Sequence, residues 1–105
     1  MEEVLKAIAT PRRRQILALV RDRELSAGEI AEHFDVTRPA ISQHLTVLKD
    51  AGLVRERRVG TKRLYRARPE GLAELKTFLE GFWDERLAAL KQAAEREESE
   101  RGGSS

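Results

Sequence analysis

The sequence predicts a mainly α-helical domain that carries one small β-hairpin. Apolar residues recur at spacings of three and four over most of the chain, which is the period of amphipathic helices. Polar capping residues, prolines and glycines stand where that period starts and stops. A basic, β-branched stretch around Gly60-Thr61 is typical of two strands joined by a tight turn. We therefore predict five helices, with a two-stranded hairpin between the fourth helix and the last.

Length, composition and cysteine content limit the class of protein. The 105 residues are 40% hydrophobic and 36% charged, which suits one globular domain with a charge-rich surface. We assign residues 1–94 to that domain and expect residues 95–105 to form a polar, disordered tail. The absence of cysteine excludes disulfides, thiolate metal ligands and cysteine nucleophiles. The apolar runs are too short to span a membrane and no signal peptide opens the chain, so we expect a cytoplasmic protein.

Two short helices are predicted at the start of the chain. The first covers residues 3–9 and is amphipathic. Thr10 is a typical N-cap and Pro11 a typical first helical residue, so a second helix should run from there to about Arg23. The apolar side of the first helix consists of Val4, Leu5 and Ile8.

A capping signal predicts a short third helix. Ser26 and Glu29 have the spacing of a capping box, and Leu25 and Ile30 have the spacing of a hydrophobic staple. Both signals place the helix start directly after Ser26.

The fourth helix is predicted over residues 37–51. With Thr37 as N-cap, Pro39 falls in the first turn, where a missing N–H group costs no hydrogen bond. Gly52 then supplies the left-handed residue that commonly ends a helix.

The order of these elements predicts a winged helix-turn-helix. Residues 35–37 form the tight connection between helices three and four, and the hairpin, or wing, over residues 53–67 follows directly. In this geometry the second helix of the pair enters the major groove of DNA. Its apolar stripe of Ile41, Leu45 and Leu48 would face the core, which leaves a polar face outside.

That polar face has residue types suited to reading DNA. Glutamine can pair with adenine through two hydrogen bonds and arginine with guanine, so Gln43, Arg38 and Ser42 are the main candidates for base contacts. The alternative is an ordinary polar surface. His44 either contacts DNA or forms a hydrogen bond at the edge of the core. The full candidate set on this helix is Thr37, Arg38, Pro39, Ser42, Gln43, His44, Thr46 and Lys49.

Charge distribution also favours a polyanionic partner. Residues 1–68 hold 15 Lys and Arg against 9 Asp and Glu, a net +6, and residues 69–105 hold 5 against 9, a net −4. In the wing, Arg58, Lys62 and Arg63 flank the turn and are candidates for phosphate or minor-groove contacts, unless they are simply solvated. Residues 12–14 are arginines at the positive end of the second helix, so phosphate contacts or salt bridges should compensate them.

The last helix has a wider apolar side than one small domain needs. We predict a homodimer interface there, with help from the first helix; packing within one chain is the alternative. The predicted interface residues are Val4, Leu5, Ile8, Leu75, Leu79, Phe82, Trp83, Leu87 and Leu90.

Over residues 4–90 the chain resembles the ArsR/SmtB family of bacterial winged helix-turn-helix repressors. The most specific motifs are Ser42-Gln43-His44-Leu45 and Ala51-Gly52-Leu53-Val54. The opening helices differ slightly, with Thr-Pro-Arg-Arg in place of the usual Asp-Pro-Thr-Arg. The resemblance implies a homodimer that binds an imperfect palindrome and blocks transcription until a signal releases it.

The resemblance also bears on metals. Metal-sensing members use cysteines in the helix before the reading helix, or Asp/His clusters in the last helix. This chain has no cysteine and no histidine in its last helix, so it resembles the metal-independent branch, and we expect no metal or cofactor. The effector is unknown.

We therefore predict a sequence-specific repressor that binds double-stranded DNA and not membranes. The alternative is a winged-helix module that binds another protein. An enzyme is not expected, because the chain has no cysteine, two separated histidines and no phosphate-binding loop.

Overall fold

A computed structural model describes the backbone of residues 1–103 and the side chains of residues 1–98. It divides into two compact units, Met1–Leu75 and the segment from Lys76 onward, which are described separately. The elements in chain order are α1 (Glu2–Ile8), α2 (Pro11–Val20), β1 (Leu25–Ser26), α3 (Ala27–Phe34), α4 (Arg38–Asp50), β2 (Val54–Val59), β3 (Lys62–Ala67) and α5 (Pro69–Gly103). The predicted five helices and wing are therefore confirmed.

The wing belongs to a three-stranded antiparallel sheet rather than to an isolated hairpin. The strand order is β1-β3-β2, and Ser26 of β1 lies opposite Leu64 of β3. Sequence analysis missed β1 because two residues are too few to show the alternation of a strand. The sheet joins the base of the wing to the residue that begins α3.

The predicted capping box is present at the start of α3. The Oγ atom of Ser26 accepts a hydrogen bond from the N–H of Glu29 at 3.2 Å, and a carboxylate oxygen of Glu29 accepts from the N–H of Ser26 at 3.1 Å. The second of these bonds is the main cause that lowers the pKa of the Glu29 carboxyl. At the start of α2, by contrast, Thr10 has the extended backbone of an N-cap but forms no side-chain capping bond.

The turn into α4 depends on one residue in the left-handed region. Asp35 ends α3 with φ 52°, a conformation that aspartate tolerates better than most residues. Thr37 then caps α4, its Oγ1 atom accepting from the N–H of Ala40 at 3.3 Å, as predicted. Helix α4 thus begins in a position set by local hydrogen bonds.

The end of α4 forms a Schellman motif. Gly52, with φ 78°, donates its N–H to the carbonyl of Lys49, and Leu53 donates to the carbonyl of Leu48, both at 2.9 Å. Leu48 and Leu53 are both fully buried, which supplies the hydrophobic contact of the motif. A Cβ atom on Gly71 would lie 2.1 Å from the carbonyl oxygen of Gly52, so the first turn of α5 approaches this motif more closely than any side chain allows.

The core lies within residues 1–75. As predicted from the spacing, α4 buries its stripe of Ile41, Leu45 and Leu48 completely. Fully burying a side chain of this size contributes about 1.5–3 kcal/mol. The other large, fully buried side chains are Ile16, Val20, Ile30, Leu53 and Val54.

Two helix ends differ from the sequence predictions. The second helix ends at Val20 and not near Arg23, because residues 21–23 are polar, exposed and add nothing to its apolar stripe. The last helix continues to Gly103, although we expected a disordered tail from residue 95. Residues 95–101 are mostly Glu and Arg, which are strong helix formers. Residues 104 and 105 lie outside the described part of the chain.

Candidate nucleic-acid interface

The outer face of α4 is polar and exposed, as the spacing predicted. Arg38, Gln43 and Thr46 are exposed, and Ser42 is half-buried. Thr46 donates its hydroxyl proton to the carbonyl of Ser42 at 3.0 Å, so its oxygen remains only as an acceptor toward any partner. Gln43 therefore offers the more versatile group, because its amide can both donate and accept.

The register of the wing defines the faces on which its cations lie. Arg58 of β2 pairs directly with Arg63 of β3, so the two guanidinium groups lie on the same face near the turn. This face continues into the buried residues Val54, Tyr65 and Ala67. Two like charges placed side by side repel one another, and an anion held between them would relieve that repulsion.

A cleft of about 580 Å³ separates α4 from the wing. It contains five of the predicted DNA-binding residues: Arg38, Ser42, Thr46, Lys62 and Arg63. The remaining lining residues are Ser26, Ala27, Gly28, Thr61 and Tyr65. Of the residues that the structure describes, the lining therefore holds three cations, several hydroxyl groups and no acidic residue.

The other predicted residues lie outside the cleft lining. Thr37 is occupied as the cap of α4, and Pro39, Gln43 and Arg58 are exposed. Lys49 lies near the end of α4, with its Nζ atom 3.1 Å from a carboxylate oxygen of Glu56.

His44 lies at the half-buried edge of α4, against α2. Its Nδ1 atom is 3.4 Å from a guanidinium nitrogen of Arg13. Because arginine can only donate, this contact needs an unprotonated Nδ1, with the proton of the neutral ring on Nε2. Burial first, and then the charges of Arg13 and Arg12, lower the pKa of His44 below its usual 6.5. Of the two roles considered for His44, this geometry favours the structural one.

The three arginines at the start of α2 contact neighbouring structure. Arg13 donates to the carbonyls of Ala7 and Lys6, and Arg14 donates to that of Ile8 at 2.7 Å. The guanidinium of Arg12 lies 4.8 Å from the centre of the Phe34 ring. Among the described residues, none of the three forms a salt bridge, which was one of the two predicted alternatives; Arg13 and Arg14 instead satisfy the terminal carbonyls of α1. A basic run directly after a seven-residue helix was the signal for this role.

Sequence reasoning also missed a clamp on the outer face of the wing. The Nε and Nη2 atoms of Arg57 donate to the two carboxylate oxygens of Glu24, both at 2.8 Å. The pKa of Glu24 is lowered chiefly by this hydrogen bonding. The partners are 33 positions apart, so no local pattern could have indicated the pair.

The residues predicted to form a dimer interface divide into two groups. In the first unit, Leu75 is buried, while Val4 and Ile8 are half-buried against the core and Leu5 is half-buried. These contacts agree with the alternative of packing within one chain.

In the second unit, the predicted interface residues are mostly exposed. Trp83 and Leu90 are 57% and 64% exposed, and the Phe82 and Trp83 rings meet edge to face at 6.2 Å. An apolar groove of about 400 Å³ is lined by Phe82, Trp83, Arg86, Ala89 and Leu90. Leu79 is half-buried and Leu87 is exposed.

The described residues offer neither a metal-binding cluster nor a membrane-spanning helix. They contain no group of three or more His, Cys, Asp or Glu residues placed to hold a metal ion. None of their helices is both long and apolar enough to cross a membrane.

Comparison with known proteins identifies the family. The model of bacterial regulatory proteins of the arsR family matches residues 10–56, which include α2, α3, α4 and the start of the wing. The HTH-type transcriptional regulator Rv2034 of Mycobacterium tuberculosis is 44% identical over 92 residues, covering 88% of this chain and 86% of the relative. The chain belongs to the arsR family.

Two more relatives agree with this assignment. The transcriptional repressor SdpR of Bacillus subtilis is 47% identical over 60 residues, covering 57% of this chain and 67% of the relative. The structure of the homodimeric winged helix-turn-helix DNA-binding domain of a possible ArsR-family regulator from Mycobacterium bovis is 37% identical, with a TM-score of 0.66, 82% of this chain covered and 80% of that one. Because the family consists of transcriptional regulators, the prediction that this chain is not an enzyme is confirmed.

Proposed function

We propose that this arsR-family regulator is a homodimeric repressor that reads a palindromic DNA operator. α4 would enter the major groove, with Arg38, Ser42 and Gln43 at base edges. Thr37, Pro39, Thr46 and Lys49 would lie along the sugar-phosphate backbone. Arg58, Lys62 and Arg63 of the wing would contact phosphate or the minor groove.

The observation that carries this proposal is the cleft between α4 and the wing. Among the described residues, its lining combines Arg38, Lys62 and Arg63 with several hydroxyl groups and holds no acidic side chain. Phosphate groups and the acceptor-rich edges of bases are suited to such a lining. A protein partner would not require this concentration of cations.

The homodimer is proposed from the exposed apolar residues of α5 and from the homodimeric relative. A two-fold axis would set the two reading helices one turn of DNA apart, about 34 Å. The operator should then consist of two inverted half-sites at that spacing. Such a complex would act in the cytoplasm of a bacterium, where the chromosome lies.

Selection from random duplexes tests the proposal. Repeated capture on the full chain should enrich an inverted repeat, and its affinity should fall steeply with salt because bound phosphates release counterions. Placing the selected site over a promoter should lower the expression of a reporter gene. Raised expression would indicate an activator instead. Failure to enrich any motif would favour the alternative of a protein-binding winged helix.

A further inference from the structure

One carboxylate, Glu56, lies among the cations of the proposed interface. It faces Tyr65 across the β2–β3 pair, and its side chain is only 20% exposed. One of its oxygens is 3.1 Å from Nζ of Lys49 in α4, and the other is 3.5 Å from Nε of Arg63 in β3. A single acidic residue therefore bridges the reading helix and the wing through two cations.

These ion pairs resemble the contacts that phosphate would make. Lys49 and Arg63 are candidate DNA-binding residues, and a carboxylate offers them the same kind of charged oxygen acceptor as a phosphate group. With Glu56 between them, the two cations present a net charge of one to DNA instead of two. A phosphate that approaches must displace the carboxylate and also tolerate its negative charge nearby.

We propose that Glu56 competes with DNA phosphate for Lys49 and Arg63 and so sets the sequence-independent part of the affinity for DNA. This inference rests on the proposed function, since it needs DNA to dock on this face. Glu56 forms no part of the face that reads bases. Its effect should therefore be the same on every duplex.

Glu24 provides a matched control. It is also a glutamate that pairs with a wing arginine, Arg57, yet strand alternation puts Arg57 on the face opposite Glu56 and Arg58. Glu24→Gln and Glu56→Gln change the net charge equally, the first by removing one ion pair and the second by removing two. Only Glu56→Gln releases two cations that are proposed to contact DNA, Lys49 and Arg63.

The experiment measures the affinity of the full chain for a random-sequence duplex and for a selected duplex across a series of salt concentrations. Glu56→Gln is expected to tighten both by about tenfold at low salt. The slope of log affinity against log salt should steepen by about 0.9 for each protomer that contacts the duplex, the value for one more neutralised phosphate. Glu24→Gln should change the affinity for neither duplex by more than about twofold. The gain should disappear when Lys49→Ala and Arg63→Ala are added to Glu56→Gln.

Each other outcome overturns the inference or the proposal beneath it. If the wild type binds DNA but Glu56→Gln neither tightens binding nor steepens the slope, Glu56 only holds the wing against α4. An equal gain from Glu24→Gln, a gain on one sequence only, or a gain that survives loss of both cations would also overturn it. If the wild type binds no duplex, the proposed function itself fails. Should Glu56→Gln not fold, Glu56→Thr removes the carboxylate with a residue favoured in strands and repeats the test.

Discussion

The apolar side chains of residues 1–75 differ in exposure from those of distal α5. In the first unit, Ile16, Ile30 and Ile41 are completely buried. From Phe82 onward in α5, the large apolar side chains are 44–64% exposed. The first group forms a core within one chain, whereas the second leaves an apolar groove that a partner could cover. Folding and the proposed dimerisation should therefore respond to different substitutions.

The largest expected effect comes from the core. Ile41→Ala should lower the free energy of unfolding by about 2–5 kcal/mol, because it leaves a cavity beneath the reading helix. Chemical denaturation followed by circular dichroism measures this loss. Val47→Ala, at an exposed position of the same helix, is the matched control and should cost less than about 1 kcal/mol. Equal losses from the two variants would contradict the buried stripe.

The next effect would distinguish dimerisation from folding. Trp83→Glu places a charge in the exposed apolar groove and should weaken the proposed dimer by at least about 30-fold, since buried aromatic anchors contribute 2 kcal/mol or more. Sedimentation should show a monomer, while the helical circular dichroism signal is retained. Glu97→Gln, on the polar part of α5, is the control. A Trp83→Glu protein that still sediments as a dimer would remove distal α5 from the interface.

A smaller effect concerns the reading face itself. Gln43→Ala should cost about 1–3 kcal/mol of operator affinity and relax one base position in a repeated selection. Gln15→Ala, an exposed glutamine on α2, should leave both unchanged. An unaltered motif and affinity for Gln43→Ala would show that Gln43 contacts no base.

The smallest effect is a dependence of stability on pH through His44. Because the folded protein lowers the pKa of His44, the unfolded chain binds its proton more readily. The contribution of His44 to the free energy of unfolding should therefore be fully present above its usual pKa of 6.5 and should decline as the pH falls below that value. Denaturation at pH 7.5 and 5.5 should show a larger loss for the wild type than for His44→Gln, which keeps an acceptor for Arg13. Equal losses would show that His44 is not the cause.

In the first unit, the helix caps and the buried stripe could be predicted from the sequence, whereas the long-range contacts could not. The caps at Ser26 and Thr37 and the stripe through Ile41 depend on residues three to seven positions apart, so the sequence displays them directly. The Arg57–Glu24 clamp and the Arg13–His44 contact join residues 33 and 31 positions apart. Only the packed fold brings such pairs together. Charge counts therefore identified the basic half of the chain but not which cations are held by acidic residues.

The candidate site also divides into local features that the sequence predicts and long-range contacts that it does not. Helical period placed Arg38, Ser42 and Thr46 on one face, and the structure brings them to one cleft with Lys62 and Arg63. The sequence could not show that Glu56 holds Lys49 and Arg63, because that depends on the distance between α4 and the wing. The backbone contacts of the α2 arginines have only one signal in the sequence, the basic run directly after a short helix, because the carbonyls that they bind belong to the backbone.

Ser26 belongs to the sheet and to the first turn of α3 at the same time. Its backbone pairs with Leu64 of the wing strand, and its side chain caps the helix that precedes the reading helix. The gap between wing and reading helix is therefore set before any ligand arrives, and little conformational entropy would be lost in closing it. The duplex, rather than the protein, would change its shape on binding. The preferred site should therefore be one whose base steps bend or narrow easily, even at positions that no side chain touches.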